Sequence, residues 1–268
     1  MDVDEISSYP EMVQCYLDVC KMKNNFSSMG TVDLSKETWF STTKLLLLAE
    51  FIARNPAMTV TKPKNSNVAR YVDIMTAGEP RGSCIPMVKM PTEQRKADEA
   101  LRCLFDLARQ KDLATGVEAF SYILGELVSN MYEHARFTNA FCMAQLYKKM
   151  KFVEVCFLDD GISIPGSFRE YGLIYDNHTT ALVEALNGQS TKQDKGRGCG
   201  LGTSVSLLLE GLKSRVLVIS NKGCLYLEDG MVPRGYILSE PYTLNGTLVS
   251  ARIPYPVPQV DIYEYVNK

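Results

Sequence analysis

Glu126, Asn130 and His134 stand at every fourth position in "FSYILGELVSNMYEHA". Each step of four drifts only about 40° around a helix, so the three share a face. Phe120, Ile123, Leu124, Leu127, Val128 and Met131 form an apolar stripe beside them. A carboxylate and an amide one turn apart can hold a hydrated Mg²⁺, or activate a hydroxyl or water. The same pattern also describes an amphipathic helix with a wet polar side. A second candidate closes the apolar run in "FVEVCFLDDGISIPGSF", where Asp159 and Asp160 are followed by Gly161. A carboxylate at a strand's end can accept a hydrogen bond from the exocyclic amine of a flat heterocycle, and glycine permits close approach. Asp-Asp-Gly is equally a common turn. The third candidate is "GRGCGLGTSVSLLLEG", residues 196 to 211, where Gly196, Gly198, Gly200 and Gly202 alternate before an apolar helix. Glycine in an ordered segment is entropically costly. One use for it is a phosphate chain lying against helix N-terminal amides, with Lys195 and Arg197 as charges close by. The run fits neither common nucleotide fingerprint: Leu201 and Thr203 stand where a dinucleotide fold needs its third glycine, and Gly202 is followed by Thr203 rather than lysine. A loop serving packing alone is the competing reading.

These residues need elements to position them. "EMVQCYLDVCKM" has helical character. "GTVDLSKETWF" suggests a strand and turn, and "STTKLLLLAEFIARN" a helix opened by Ser/Thr. "AMTVTKP" is strand-like and "NSNVARYVDIM" helical, giving a strand-helix-strand-helix order. Gly, Pro and charge cluster over residues 77 to 96, which mark a junction, or a loop around a strand. Beyond it, "EQRKADEALRCLFDLARQ" and "GVEAFSYILGELVSNMYEHARF" predict two helices. "AFCMAQLYKK" and "KFVEVCFLDD" predict strands paired around a tight connection. A polar stretch from 166 to 195 holds one helix, "TTALVEALNG". After the glycine run come strands at "RVLVIS", "CLYLED", "GYILSE" and "TLVSARIP". Helices followed by a run of strands predict an α/β sandwich with helices on one face.

Composition sets the outer bounds. The 268 residues are 46 % hydrophobic and carry a formal net charge of -2, which supplies a sizeable core and no electrostatic reason to expect nucleic acid or an anionic membrane. The eight cysteines form no C-x-x-C pair and only His134 and His178 accompany them, so no zinc site is expected. The acidic N-terminus lacks the pattern of a secretory signal, and the longest apolar run is far too short for a membrane span. A cytoplasmic protein is the expectation.

Taken in order, "ELVSNMYEHA", "DDGISIP", "GRGCGLG" and "NGTLVSARIP" resemble the N-box, the two glycine boxes and the final Gly-Thr strand of the GHKL ATPase family (gyrase, heat-shock chaperone, histidine kinase, mismatch repair), over residues 120 to 254. The resemblance implies a two-layer α/β sandwich with ATP between the helices and a mobile lid, here residues 166 to 195. By that likeness Asn130 would coordinate Mg²⁺, and Glu126 would be the general base or position water. Asp159 would accept from the adenine amine, with Gly161 allowing close approach. Gly196, Gly198 and Gly200 would shape the lid's end around the phosphates, with Lys195 and Arg197 beside them. Thr247 would support the adenine side, and Ile164 and Leu201 belong to the same nucleotide-binding set. His134 would either reach phosphate or sit on the helix surface. One departure is Ser163, where the family's first glycine box has its second glycine.

A histidine kinase would carry a phosphoacceptor histidine ahead of the ATP domain, and gyrase-like members a transducer domain after it; neither pattern is present. The ending "EHA" is similar to anti-sigma-factor serine kinases. "VDLSKETWFSTTKLLLLAEFIARNPAMTVTKPKNSNVARYVDIMTAG" resembles the core of a STAS domain, the fold of those kinases' antagonist partners. In that family the equivalent of "WFSTTK" carries a phosphorylated hydroxyl, for which this chain offers Ser41, Thr42 and Thr43; capping of the next helix is the alternative. The expectation is a STAS-like α/β module (1–90) preceding a GHKL ATP-binding domain (91–268). It would transfer a phosphoryl group from Mg·ATP to a Ser/Thr of a partner protein, itself STAS-like or a transcription regulator. A non-catalytic nucleotide-gated binding module and a slow ATPase are the alternatives, and homodimerisation is left open.

Overall fold

The computed structural model describes residues 9–77, 84–97, 102, 106, 117–188 and 200–266. Helix α1 (Glu11–Met29) starts after Pro10 and stops at Gly30, whose φ of +67° lets its amide return to the Phe26 carbonyl. Strand β1 (Thr31–Asp33), helix α2 (Thr42–Arg54), strand β2 (Thr59–Thr61) and helix α3 (Ser66–Ala77) follow in the expected order. The two short strands pair in parallel, Val32 opposite Val60, so α2 is the crossover of a βαβ unit. Ser41 caps α2 by accepting from the Lys44 amide at 3.1 Å. All four residues of its "LLLL" run, Leu45 to Leu48, are buried, because α2 has neighbours on every side.

The rest is built on a seven-stranded antiparallel sheet. In chain order its strands are β3 (Cys84–Met90), β4 (Ala140–Tyr147), β5 (Phe152–Asp159), β6 (Arg215–Asn221), β7 (Gly223–Glu228), β8 (Arg234–Ile237) and β9 (Leu244–Pro254). In space the order is β3-β4-β5-β9-β6-β7-β8. Helix α4 (Val117–His134) precedes β4. Helices α5 (Ile164–Glu170) and α6 (His178–Leu186) follow β5. Helix α7 (Gly200–Ser206) runs into a π-turn (Leu207–Gly211), and α8 (Tyr263–Val266) follows β9. No helix of the described residues is long and apolar enough to cross a membrane.

Side chains alternate across the sheet, apart from an irregularity between Ile85 and Val88 in β3. Cys142, Ala144, Val155, Phe157, Val218, Val249 and Ala251 face α4 and α7, joining Phe120, Leu124, Leu127, Leu207 and Leu208 in one core. Phe141, Met143, Cys156, Leu158, Leu217, Ile219 and Leu248 face the other way, in one core with Val13, Tyr16 and Leu45 to Leu48 of α1 and α2. The expected helices on one face therefore become helices on both, and a third layer adds to the expected two. Strands β4, β5, β6, β7 and β9 read as near-continuous apolar runs for the same reason: they are buried on both sides. Strand β3 pairs with β4 inside the large sheet, and the N-terminal helices share the sheet's second core.

The stretch from 166 to 195 also differs from expectation. As far as residue 188 it is two packed helices rather than a polar loop with one. Phe168, Ala181 and Ala185 make a small core with Ile164, Leu173, Tyr175 and Leu201, and Leu182 joins the main one. The remainder, residues 189 to 199 with Lys195, Gly196, Arg197 and Gly198, lies outside the described residues.

Candidate functional site

A cavity of about 530 Å³ opens between α4, α5, the end of α6, α7 and the ends of β5 and β9. Leu127, Asn130, Met131 and His134 of α4 line one wall. Ile164, Ser167 and Phe168 of α5 line another, and Leu201, Gly202, Thr203 and Ser206 of α7 a third. Phe157, Asp159, Thr247 and Val249 form the sheet side. The volume suits a small organic ligand, and so does an apolar lining with a few polar groups.

Asp159 is the focus of that lining. Strand register sets it opposite Thr247, and Thr247 opposite Ser220, so three polar residues lie in one row across three neighbouring buried strands. Asp159 is only 7 % exposed. Burial pushes its pKa up to about 7, and the amides of Gly161 (2.9 Å) and Thr247 pull the other way. The Thr247 and Ser220 hydroxyls lie 2.9 Å apart, and Ser220 Oγ also accepts from the Ile164 amide, also at 2.9 Å. This row anchors the first turn of α5 to the sheet.

Asn130 supplies the second unusual group. Its Nδ2 is buried and has no hydrogen-bond partner among the described residues. A buried amide left so is expensive, and it can present either its oxygen or its nitrogen to a ligand. His134, one turn on, lies in the same wall. Glu126, one turn back, does not line the cavity. No group of three or more His, Cys, Asp or Glu side chains that could hold a metal exists among the described residues. A divalent ion fits here as one brought in by a phosphate ligand, with the Asn130 amide as its protein contact.

The glycines have specific duties. A Cβ at Gly161 would run into the Ala135 carbonyl, so this glycine permits a close approach to the end of α4. A Cβ at Gly202 would meet the Leu186 carbonyl, which makes it the contact between α6 and α7. Ser163 has φ +68° and ψ 161°, a conformation that glycine adopts at little cost, and its hydroxyl caps α5 by accepting from Gly166 at 3.1 Å. The departure noted in the sequence is thus a serine holding a glycine's backbone.

The structure gathers Asn130, His134, Asp159, Ile164, Leu201 and Thr247 around one cavity, while Gly161 and Gly200 are not among its lining residues. Ser41, Thr42 and Thr43 are elsewhere. They are buried at the start of α2, on the far face of the sheet, where Thr43 donates to the fully buried Glu154 at 2.7 Å. Sequence reasoning missed Ser220, Gly246, Ser206, Glu210 and Tyr265. Ser220 carried the same signal as Asp159, a polar residue ending an apolar strand. Gly246, with φ +101°, abuts the Asp159 backbone. Glu210 and Tyr265 gave no signal, since the π-turn and the return of α8 to the cavity are tertiary. No family model, curated protein or solved structure matches this chain.

Proposed function

We propose that this chain is an ATP-binding regulatory protein that takes Mg·ATP in the cavity beside Asp159. The observation that carries the reading is a buried carboxylate at a strand's end, facing a ligand-sized apolar space. An adenine amine would give Asp159 a further donor beside the Gly161 and Thr247 amides, while Phe157, Ile164, Leu201 and Val249 offer apolar walls for the ring. The unsatisfied Asn130 Nδ2 on the α4 wall is a donor suited to a phosphate oxygen, and the Oδ1 of the same amide would be the contact for a phosphate-bound Mg²⁺. An antiparallel sheet with α4 and α7 on the cavity face agrees with the GHKL resemblance and with the order of its four motifs. The short parallel βαβ unit and the hydroxyl-rich start of α2 are in keeping with a STAS-like module.

Mg·ATP, when bound, supplies neutralised phosphate charge and a transferable phosphoryl group. The chain's part is to orient: Asp159 fixes the base, Asn130 and His134 meet the phosphate side, and Glu126 is the proposed base for a Ser/Thr hydroxyl of a protein partner. A second reading, a nucleotide-gated binding module without turnover, is favoured by the absence of Glu126 from the cavity wall. On either reading the setting is cytoplasmic and the partner a regulatory protein.

Calorimetry with ATP, ADP and GTP tests the site. Guanine sets a carbonyl against Asp159, and at pH 8, where this carboxyl is ionised, that leaves two acceptors face to face at roughly 1–3 kcal/mol, so GTP should bind about tenfold or more weakly there. Asp159→Asn should weaken ATP binding with the fold intact. Equal affinity for ATP and GTP would remove Asp159 from the role. Glu126→Gln then separates the two readings: an enzyme loses phosphoryl transfer and keeps ATP, whereas a gated module transfers nothing from the outset.

A further inference from the structure

We infer that Arg54 couples the seating of the N-terminal helices to the cavity, an inference that rests on the nucleotide reading above. Helix α2 lies along the back of β5 and is fastened to that strand at both ends. At its start, the Thr42 amide and the Thr43 hydroxyl donate to Glu154 at 3.1 and 2.7 Å, and this carboxylate is fully buried beside Arg252. At its far end, Arg54 Nη2 donates to Asp160 Oδ2 at 3.0 Å. The other Asp160 oxygen accepts the amides of Thr138 (2.8 Å) and Asn139 (2.7 Å). Burial alone would raise the Asp160 pKa, but these amides and Arg54 outweigh it and hold the group ionised.

The two adjacent aspartates therefore face opposite ways. Asp159 turns into the cavity, and Asp160 turns to the back of the sheet and to α2. A single peptide bond joins them, so a ligand that shifts Asp159 also shifts the acceptor of Arg54. Glu50, one turn earlier in α2, pairs with both Arg54 and Lys23 of α1, the latter at 3.5 Å, which carries the link into the first helix. Such a coupling is reciprocal: seating α2 must favour the ligand as much as the ligand favours seating α2. Arg54 is a positioning residue in this scheme, acting on the site through Asp160. Its side chain is 50 % exposed, so the effect is modest, about three- to fivefold in affinity.

Hydrogen exchange and calorimetry on the full chain test the link. In the wild type, Mg·ATP should slow amide exchange in Leu45 to Leu48, which lie across the sheet from the ligand. Arg54→Ala should abolish that response and weaken ATP binding about three- to fivefold, and Arg54→Lys should restore most of both. Asp160→Asn should reproduce the loss, and the double variant should lose no more than either single one. An unchanged affinity with the α2 response intact in Arg54→Ala would overturn the coupling. If the wild type binds no ATP, the nucleotide reading falls and the coupling is judged without ligand. Arg54→Ala must then speed exchange at Thr138, Asn139 and Asp160 to Ile162, with Arg54→Lys restoring it; no change there overturns it.

Discussion

Two carboxylates next to one another in sequence end in opposite electrostatic states, and the difference can be measured. Asp159 is raised to about 7 by burial, from an ordinary value of 3.8. Between those pH values the folded protein keeps a proton that the unfolded chain releases. Its contribution to stability is therefore complete below the unfolded value and is lost as pH rises through 7, a change on the order of 4 kcal/mol. Asp159→Asn cannot ionise, so it should show a flatter stability profile over that window and exceed the wild type above pH 7. Urea unfolding at a series of pH values checks this, and identical slopes in the two proteins would refute it. Ser163 makes a second test. Its backbone costs about 1–3 kcal/mol for a side-chain-bearing residue, and its hydroxyl cap returns about 1 kcal/mol. Ser163→Gly should stabilise by about 1 kcal/mol, because glycine is also an acceptable cap. Ser163→Ala should destabilise by a similar amount, because it keeps the strain and loses the cap. Thermal melts of the two variants should move in opposite directions.

At the scale of elements, two helical glycines ought to respond oppositely to the same methyl group. Gly125 lies within α4 with nothing near the place a Cβ would take, so Gly125→Ala should stabilise by about 0.5–1 kcal/mol through helix propensity. Gly202→Ala must push α7 away from the Leu186 carbonyl, and should cost about 1–3 kcal/mol and loosen the cavity wall. Denaturant titration of both variants decides it. The sequence distinguished neither position, because the neighbour that matters at Gly202 is 16 residues away and on another helix. Elements with a strong period or a firm cap were readable: α2 from its Ser41 start, α4 from its apolar stripe, β4 and β5 from their tight hairpin. The α5–α6 pair was misread because Phe168 and Ala181, which bury its faces, are scattered among polar residues and find each other only in three dimensions. The site was readable in the same uneven way. Asp159, Asn130 and Thr247 carried local signals, whereas the far-face location of Ser41 to Thr43 depended on a docking that no local pattern encodes.

For the molecule as a whole, the second core makes a strong statement about cooperativity. Leu46 and Leu48 are fully buried in the layer that closes the back of the sheet, so Leu46→Ala should cost about 2–5 kcal/mol of global stability. The chain has one tryptophan, Trp39, whose ring sits 5.9 Å from that of Tyr147 on β4. Its fluorescence reports the seating of the N-terminal unit, while far-ultraviolet circular dichroism reports the whole. The two probes should give the same unfolding midpoint in wild type and in Leu46→Ala. Distinct midpoints would mean that the N-terminal unit melts by itself. The position of β9 has a consequence for how the protein is made. This strand lies between β5 and β6 at the middle of the sheet, yet it is translated after both. Until residue 254 has left the ribosome, β3-β4-β5 and β6-β7-β8 are two unjoined half-sheets, each with a bare apolar edge where β9 will enter. The nascent chain must therefore wait, sticky at both half-sheet edges, for its central strand. Ribosome-stalled chains ending before Leu244 should be protease-sensitive and bound by holding chaperones, and those extending well past Pro254 should become resistant in a single step.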